Sequence, residues 1–260
     1  MAENARKNLD GGTVTLRYET SVRGTIAHLE IDHPRRRNAI GPAVIAGLTA
    51  RCAEIMAQDD VRLVTLRGQG GIFAAGANVK VMATLDAAGA RHFITSLGQA
   101  IHALRTLPVP VIAILQGHCV GAAMELAAAC DMRIADHSLV ASMPEVRVGI
   151  PSVIQANLLP RLIGWGKTSE LLFTGRDVCA AEALEIGFIE RLTETNELHQ
   201  TAQNWIDQIL ACEPVAIRAQ KQVMLGWNAD ASVGHEASID AFAACFETGA
   251  PARALAKVLT

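Results

Sequence analysis

Several kinds of protein are excluded by what this 260-residue chain lacks. It has no apolar stretch approaching the ~20 residues that cross a bilayer, and its opening residues, MAENARKNLDGG, contain no apolar core of a secretory signal. A soluble, cytoplasmic protein with no membrane partner is therefore expected. There is no basic excess: net charge is −3 and the pI is near 6.2, so nucleic acid, which selects a concentrated basic face, is not an expected partner. The six cysteines, Cys52, Cys119, Cys130, Cys179, Cys212 and Cys245, show no CxxC or zinc-ligand spacing. They read as reduced thiols of an intracellular protein, four of them in apolar helical patterns. GQGGIF (68–73) is not a dinucleotide fingerprint. No P-loop, GxSxG or HExxH occurs, since His235-Glu236 lacks a second histidine.

What is present is an apolar, segmented chain. Half the residues are hydrophobic, 19% are charged and the mean hydropathy is +0.25, enough for a large core with an apolar excess suited to subunit contacts. Alternation in TVTLRYE and GTIAHLEID predicts a hairpin over 13–32, turning near Arg23-Gly24. Pro42 opens a helix to about Gln58, with Val44, Ile45, Leu48, Cys52, Ile55 and Met56 at helical spacing. Strands are expected at 61–67, 111–115, around 132–135 and at 188–192. Helices are expected at 87–106, 196–211, 214–225, 231–247 and 251–259. Strand pairs followed by a helix, then a run of helices, predict an α/β fold. The shift near residue 195 divides a core region, 1–195, from a helical region, 196–260.

The chain is organised around Ile112–Met132, IAILQGHCVGAAMELAAACDM. An apolar strand leads through Gly117 and Gly121 into an Ala-rich helix that carries one carboxylate, Glu125, between Met124 and Leu126. A charge in such surroundings is costly unless paired or used; alternatively it serves only to favour its own helix N-terminus. Two loops of small residues, Ala74-Ala75-Gly76-Ala77 and Gly121-Ala122-Ala123, precede helices whose first N–H groups lack partners. They could bind a carbonyl oxygen or merely allow close packing. Arg35, Arg36 and Arg37 form a short basic run, either a solvated loop or a contact for a small polyanion. Glu145, after Pro144, is a second carboxylate. His118 is a structural candidate near the loops, and Lys80 and Lys221 read as surface residues.

HPRRRNAI (33–40), GIFAAGANVKVM (71–82), GHCVGAAMELAAACDMRIA (117–135), MPEVRVGIP (143–151) and LLFTGRDVCAAEALEIGFIERL (171–192) occur in that order. Together with the ending AFAACFETGAPARALAKVL, they resemble the enoyl-CoA hydratase/isomerase family of the crotonase superfamily over nearly the whole chain. The resemblance implies a crotonase-like spiral of ββα turns with a C-terminal helical region that caps the site and contributes to trimers or dimers of trimers. It implies an acyl-CoA thioester substrate with no cofactor, coenzyme A being part of the substrate, and no metal. The N–H groups of Ala77 and Ala122 would hold the thioester oxygen, with Ala122 in place of the usual glycine. Glu125 and Glu145 fall on the two hydratase carboxylates. Ala75, Asn78, Val79 and Lys80 of the first loop, and the basic residues Arg35, Arg37 and Lys257, would contact substrate or coenzyme. The retention of both glutamates favours hydration of a trans-2-enoyl-CoA. Isomerisation, thioester hydrolysis, decarboxylation and non-catalytic acyl-CoA binding remain alternatives. Two departures stand out. Asn78 replaces a common Asp, and Ser152-Val153-Ile154-Gln155-Ala156 replaces a glycine-rich stretch, which would reshape the acyl pocket.

Overall fold

A computed structural model describes residues 11–226, 239, 242–244, 246–247 and 249–259. Strands β1 (Thr13–Ser21) and β2 (Gly24–Asp32) form the expected antiparallel hairpin. Helix α1 (Pro42–Met56) has proline at its first turn, where a missing N–H costs no hydrogen bond. Then follow β3 (Val61–Gly68), the short helix α2 (Val79–Met82), α3 (Ala87–Arg105) and β4 (Val111–Leu115). Next come β5 (His118–Val120), α4 (Ala122–Ala128), β6 (Met132–Asp136) and β7 (Val140–Ser142). The second half holds α5 (Leu159–Thr174), β8 (Asp177–Cys179), α6 (Ala180–Glu185) and β9 (Arg191–Thr193). Helices α7 (Leu198–Leu210), α8 (Pro214–Gly226) and α9 (Ala250–Leu259) complete it.

The strands divide into a six-stranded sheet, β1-β2-β3-β4-β6-β9, parallel from β2 onward, and a three-stranded sheet, β5-β7-β8. Every residue of β4 is buried, as a parallel strand covered on both faces requires. On one face lie α1 and α3, with Val44, Leu48, Leu97 and Ile101 fully buried. On the other, Ile26, Leu63, Ile112, Ile114 and Ile134 meet Leu198, Ala202, Ile206 and Leu210 of α7. The helical region after residue 195 thus begins against the large sheet. This is the crotonase-type α/β fold.

The structure corrects the sequence expectations at several places. The late strand lies at Arg191–Thr193, not 188–192; Phe188 and Ile189 are buried in the connection from α6. Strands β5, β7 and β8 were not expected because three residues are too few to show alternation. Met56, assigned to the apolar stripe of α1, is half exposed at the helix end. The predicted helix 231–247 falls largely outside the described residues. No described helix is long and apolar enough to cross a membrane.

Lys221 is not a surface residue. It is buried on α8, and its Nζ lies 2.6 and 2.5 Å from the two carboxylate oxygens of Asp131. Asp131 also accepts the Val111 N–H at 2.7 Å, so one ion pair ties α8 to the edges of β4 and β6. Nearby, buried Arg133 donates to the carbonyls of Phe188 (2.7 Å) and Cys130 (2.8 Å) and pairs with Glu190. Removing one partner of a buried pair leaves the other charge uncompensated. Lys221→Ala is therefore expected to cost about 3 kcal/mol of stability by denaturant titration; a loss below about 1 kcal/mol would show the pair to be dispensable.

Candidate active site

The small-residue loop at 73–77 lies between two neighbouring segments. On one side Ala75 N–H donates to Arg37 C=O (2.9 Å), Ile40 N–H to Gly76 C=O (2.8 Å) and Asn78 N–H to Ile40 C=O (2.9 Å). On the other, Ala74 N–H donates to His118 C=O (2.9 Å), and Val120 N–H to Ala74 C=O (3.2 Å). The loop therefore runs parallel to the segment entering α4, and the Gly76-Ala77 corner comes beside Gly121-Ala122. Buried Asn38 anchors this arrangement. Its Nδ2 donates to the carbonyls of Gln69 (2.9 Å) and Ile72 (2.6 Å), and its Oδ1 accepts the His33 N–H at 2.8 Å. Arg37 and Asn38 both take left-handed backbone angles, φ 52° and 56°. Asn tolerates this conformation better than most residues. Asn38 was not among the residues expected at the site, although it lies within the HPRRRNAI motif.

Glycine is required at both corners. Gly76 has φ 86°, and a Cβ there would lie 2.6 Å from the Val120 carbonyl oxygen and 3.9 Å from the Ala122 nitrogen. Gly121 has φ 55° and ψ −121°, and a Cβ would collide with Glu145 Oε1. Because the Ile40 bonds go to Gly76 and Asn78, the Ala77 N–H points away from Ile40, and it has no acceptor among the described residues. Ala122 is the first residue of α4, so its N–H has no intrahelical acceptor. Alanine is accommodated there because the left-handed turn is made one residue earlier.

Glu125 and Glu145 meet beside this corner. Glu125 is 2% exposed, and its Oε1 accepts N–H groups from Ile154 (3.1 Å) and Gln155 (3.2 Å). Burial, then repulsion from Glu145, push its carboxyl up to about 8, against the lowering effect of the backbone donors. Glu145 follows Pro144 in a 3-10 turn, Glu145–Val148, and accepts the Ser152 hydroxyl at 2.9 Å. Burial raises its pKa as well, opposed by hydrogen bonds including that from Ser152. The 152–155 segment thus grips both acids, a role that its departure from a glycine-rich pattern flagged but did not specify.

The remaining expected residues lie at or outside this corner. Asn78 caps α2, its Oδ1 accepting from the N–H groups of Lys80 (3.1 Å) and Val81 (3.4 Å); an Asp would serve the same cap. Ala75, Val79 and Lys80 are half-buried along the same loop. Arg35 and Arg37 are exposed on the neighbouring loop, as is Arg36. Helix α9 packs against both α2 and the Glu145 turn; the Lys257 side chain lies outside what the structure describes. His118 contributes its backbone to β5. Among the described residues no three His, Cys, Asp or Glu side chains gather as metal ligands. A cavity of about 1740 Å³ lies between α1, α3, α5 and residues 152–157. Neither glutamate lines it; it meets the site through Ser152, Ile154 and Gln155.

The enoyl-CoA hydratase/isomerase family model matches residues 21–248. The chain belongs to this family. Among its relatives is the short-chain-enoyl-CoA hydratase of Clostridium acetobutylicum, 32% identical over 228 residues, spanning 86% of this chain and 87% of that one. An enoyl-CoA isomerase/hydratase of Mycosarcoma maydis is 30% identical over 234 residues, spanning 85% and 84%. The crystal structure of an enoyl-CoA hydratase from Bacillus anthracis superposes with a TM-score of 0.79 at 28% identity, covering 92% of this chain and 89% of that one. Family membership and the crotonase fold thus stand on sequence and on structure alike.

The raised pKa of Glu125 has a measurable consequence. Between the ordinary value of 4.5 and about 8, the unfolded chain has released a proton that the folded protein retains. Stability therefore falls as pH rises through that window and levels above it. Glu125→Gln removes the ionisation, so the melting temperature of the variant relative to wild type should climb from about pH 5 to about pH 8 and then flatten. A difference independent of pH would mean that Glu125 ionises normally in the fold.

Proposed function

We propose that this protein is an enoyl-CoA hydratase, adding water across the double bond of a trans-2-enoyl-CoA. The observation that carries the reading is the pairing of Glu125 with Glu145 beside two N–H groups, of Ala77 and Ala122, that have no acceptor among the described residues. Those donors form an oxyanion hole: with the thioester oxygen between them they stabilise the negative charge that develops as the enolate forms. Water adds its oxygen to the β-carbon, and a proton is delivered to the α-carbon. Burial raises the pKa of both carboxyls and Glu145 raises that of Glu125 further, which suits the pair to holding and passing a proton. As a pair they take a proton from water and return one to carbon. The addition of water is redox-neutral, so this reading calls for no redox cofactor, and the paired N–H groups supply the polarisation of the carbonyl.

The other parts of the reading follow from the same placement. Ala75, Asn78, Val79 and Lys80 line the thioester side, and Arg35, Arg37 and Lys257 are the candidates for the coenzyme phosphates. Helix α9 closes the site from above. Assembly as a trimer or dimer of trimers, in the cytoplasm, belongs to this reading and is open to light scattering on the purified protein. The relatives named as isomerase/hydratase keep isomerisation as the second reading, which needs only one of the two acids.

Purified protein mixed with crotonyl-CoA and longer enoyl-CoA esters should consume the conjugated thioester absorbance. Glu125→Gln and Glu145→Gln should each lower kcat by about 10² or more. Full activity in Glu145→Gln with none in Glu125→Gln would favour isomerisation. Absence of turnover with every ester would reject the hydratase.

A further inference from the structure

The large cavity is apolar over much of its wall, with Met56, Ala103, Trp165, Leu172 and Phe173 among the side chains lining it. Its charged side chains, among the described residues, are all of one sign: Arg91, Arg105 and Arg161 line it, and no carboxylate does. Arg91 and Arg161 each have a partner already. Arg105 differs. It is half-buried, yet its guanidinium donates no hydrogen bond among the described residues. Its charge is opposed first by burial and then by Arg161, with only a smaller attraction from Asp131, itself engaged by Lys221 and Val111 N–H. A cation in the last turn of α3 gains from the helix C-terminus. That explains its charge but not a half-buried guanidinium that has no acceptor among the described residues.

The cavity begins next to the acids. Ser152 lines it and also bonds Glu145 at 2.9 Å, while Ile154 and Gln155 line it and bond Glu125. An acyl chain with its α- and β-carbons at the two glutamates passes Ser152 into this space. Its volume exceeds the usual range of about 300–1,000 Å³ for small-molecule sites, far more than a four-carbon acyl group fills. On the reading of the site as an enoyl-CoA site, we propose that Arg105 binds a carboxylate at the far end of the acyl chain, making the preferred substrates ω-carboxy-enoyl-CoA thioesters. A carboxylate there accepts two parallel N–H bonds from the guanidinium fork. It also neutralises the Arg105–Arg161 repulsion, and the apolar wall between holds the methylene chain.

The test compares ω-carboxy and methyl-ended trans-2-enoyl-CoA esters of equal length, from six to twelve carbons. For at least one length, wild type should favour the carboxylate in kcat/KM by about tenfold or more. Arg105→Met should reduce that ratio at least tenfold, and Arg105→Lys should restore part of it. Saturated ω-carboxyacyl-CoA and acyl-CoA esters, titrated calorimetrically, give the same comparison without turnover. An Arg105-dependent preference in binding therefore supports the assignment even if hydration fails. Equal treatment of the two series by wild type at every length would overturn it, as would equal losses for both in Arg105→Met. If inorganic phosphate alone is bound through Arg105 while the thioesters are not distinguished, the arginine serves a free anion and the assignment is likewise overturned.

Discussion

Two carboxylic acids, one fully buried and one partly so, face each other with no cation paired to either among the described residues. Glu125 is acted on by burial and by Glu145, with backbone donors as the only restraint. Burial and the neighbouring carboxylate both favour the protonated form of Glu125. Much of the surrounding architecture supplies that pair with a rigid setting. The 152–155 segment brings two backbone N–H groups to Glu125 and a hydroxyl to Glu145. Gly121 leaves space for Glu145 against the start of α4. The Ala-rich α4 is buried along its whole length, which keeps Glu125 from turning to solvent.

The donors on the opposite side of the site are backbone groups, and this explains which sequence departures matter. Ala122 in place of glycine leaves its N–H in position because Gly121 makes the unusual turn. Asn78 in place of Asp still caps α2, because the cap needs an acceptor oxygen rather than a charge. The 152–156 departure is different in kind. It changes side chains on the wall shared by the acids and the large cavity, and one of them, Ser152, bonds Glu145 directly.

Most of the fold was legible because long elements advertise their period. The hairpin alternates over nine residues per strand, and α1 and α3 repeat their apolar residues over several turns. The three-residue strands of the second sheet carry no such signal. The motifs around 71–82, 117–135 and 143–151 pointed to Glu125, Glu145 and the two alanine N–H groups. Asn38 and Ser152 were not picked out as parts of the site. A single Asn in a basic loop and a single Ser after a proline look like ordinary loop residues until their partners, at 69, 72 and 145, are seen beside them. Lys221 was misread for a related reason: a lysine on an amphipathic helix is usually solvated, and only Asp131, ninety residues away, makes burial tolerable.

By itself, then, the sequence determined the order of strands and helices, the family, and the residue types that could bear the chemistry, because these depend on local periodicity and on contiguous motifs. Tertiary structure decided the rest: that Gly76-Ala77 and Gly121-Ala122 share one corner, that Glu145 lies close enough to raise the pKa of Glu125, and that Arg105 stands half-buried in a cavity with no acid among its described lining residues. Those properties arise from distances between segments far apart in the chain, and burial and Coulomb repulsion take effect only once such segments are packed together.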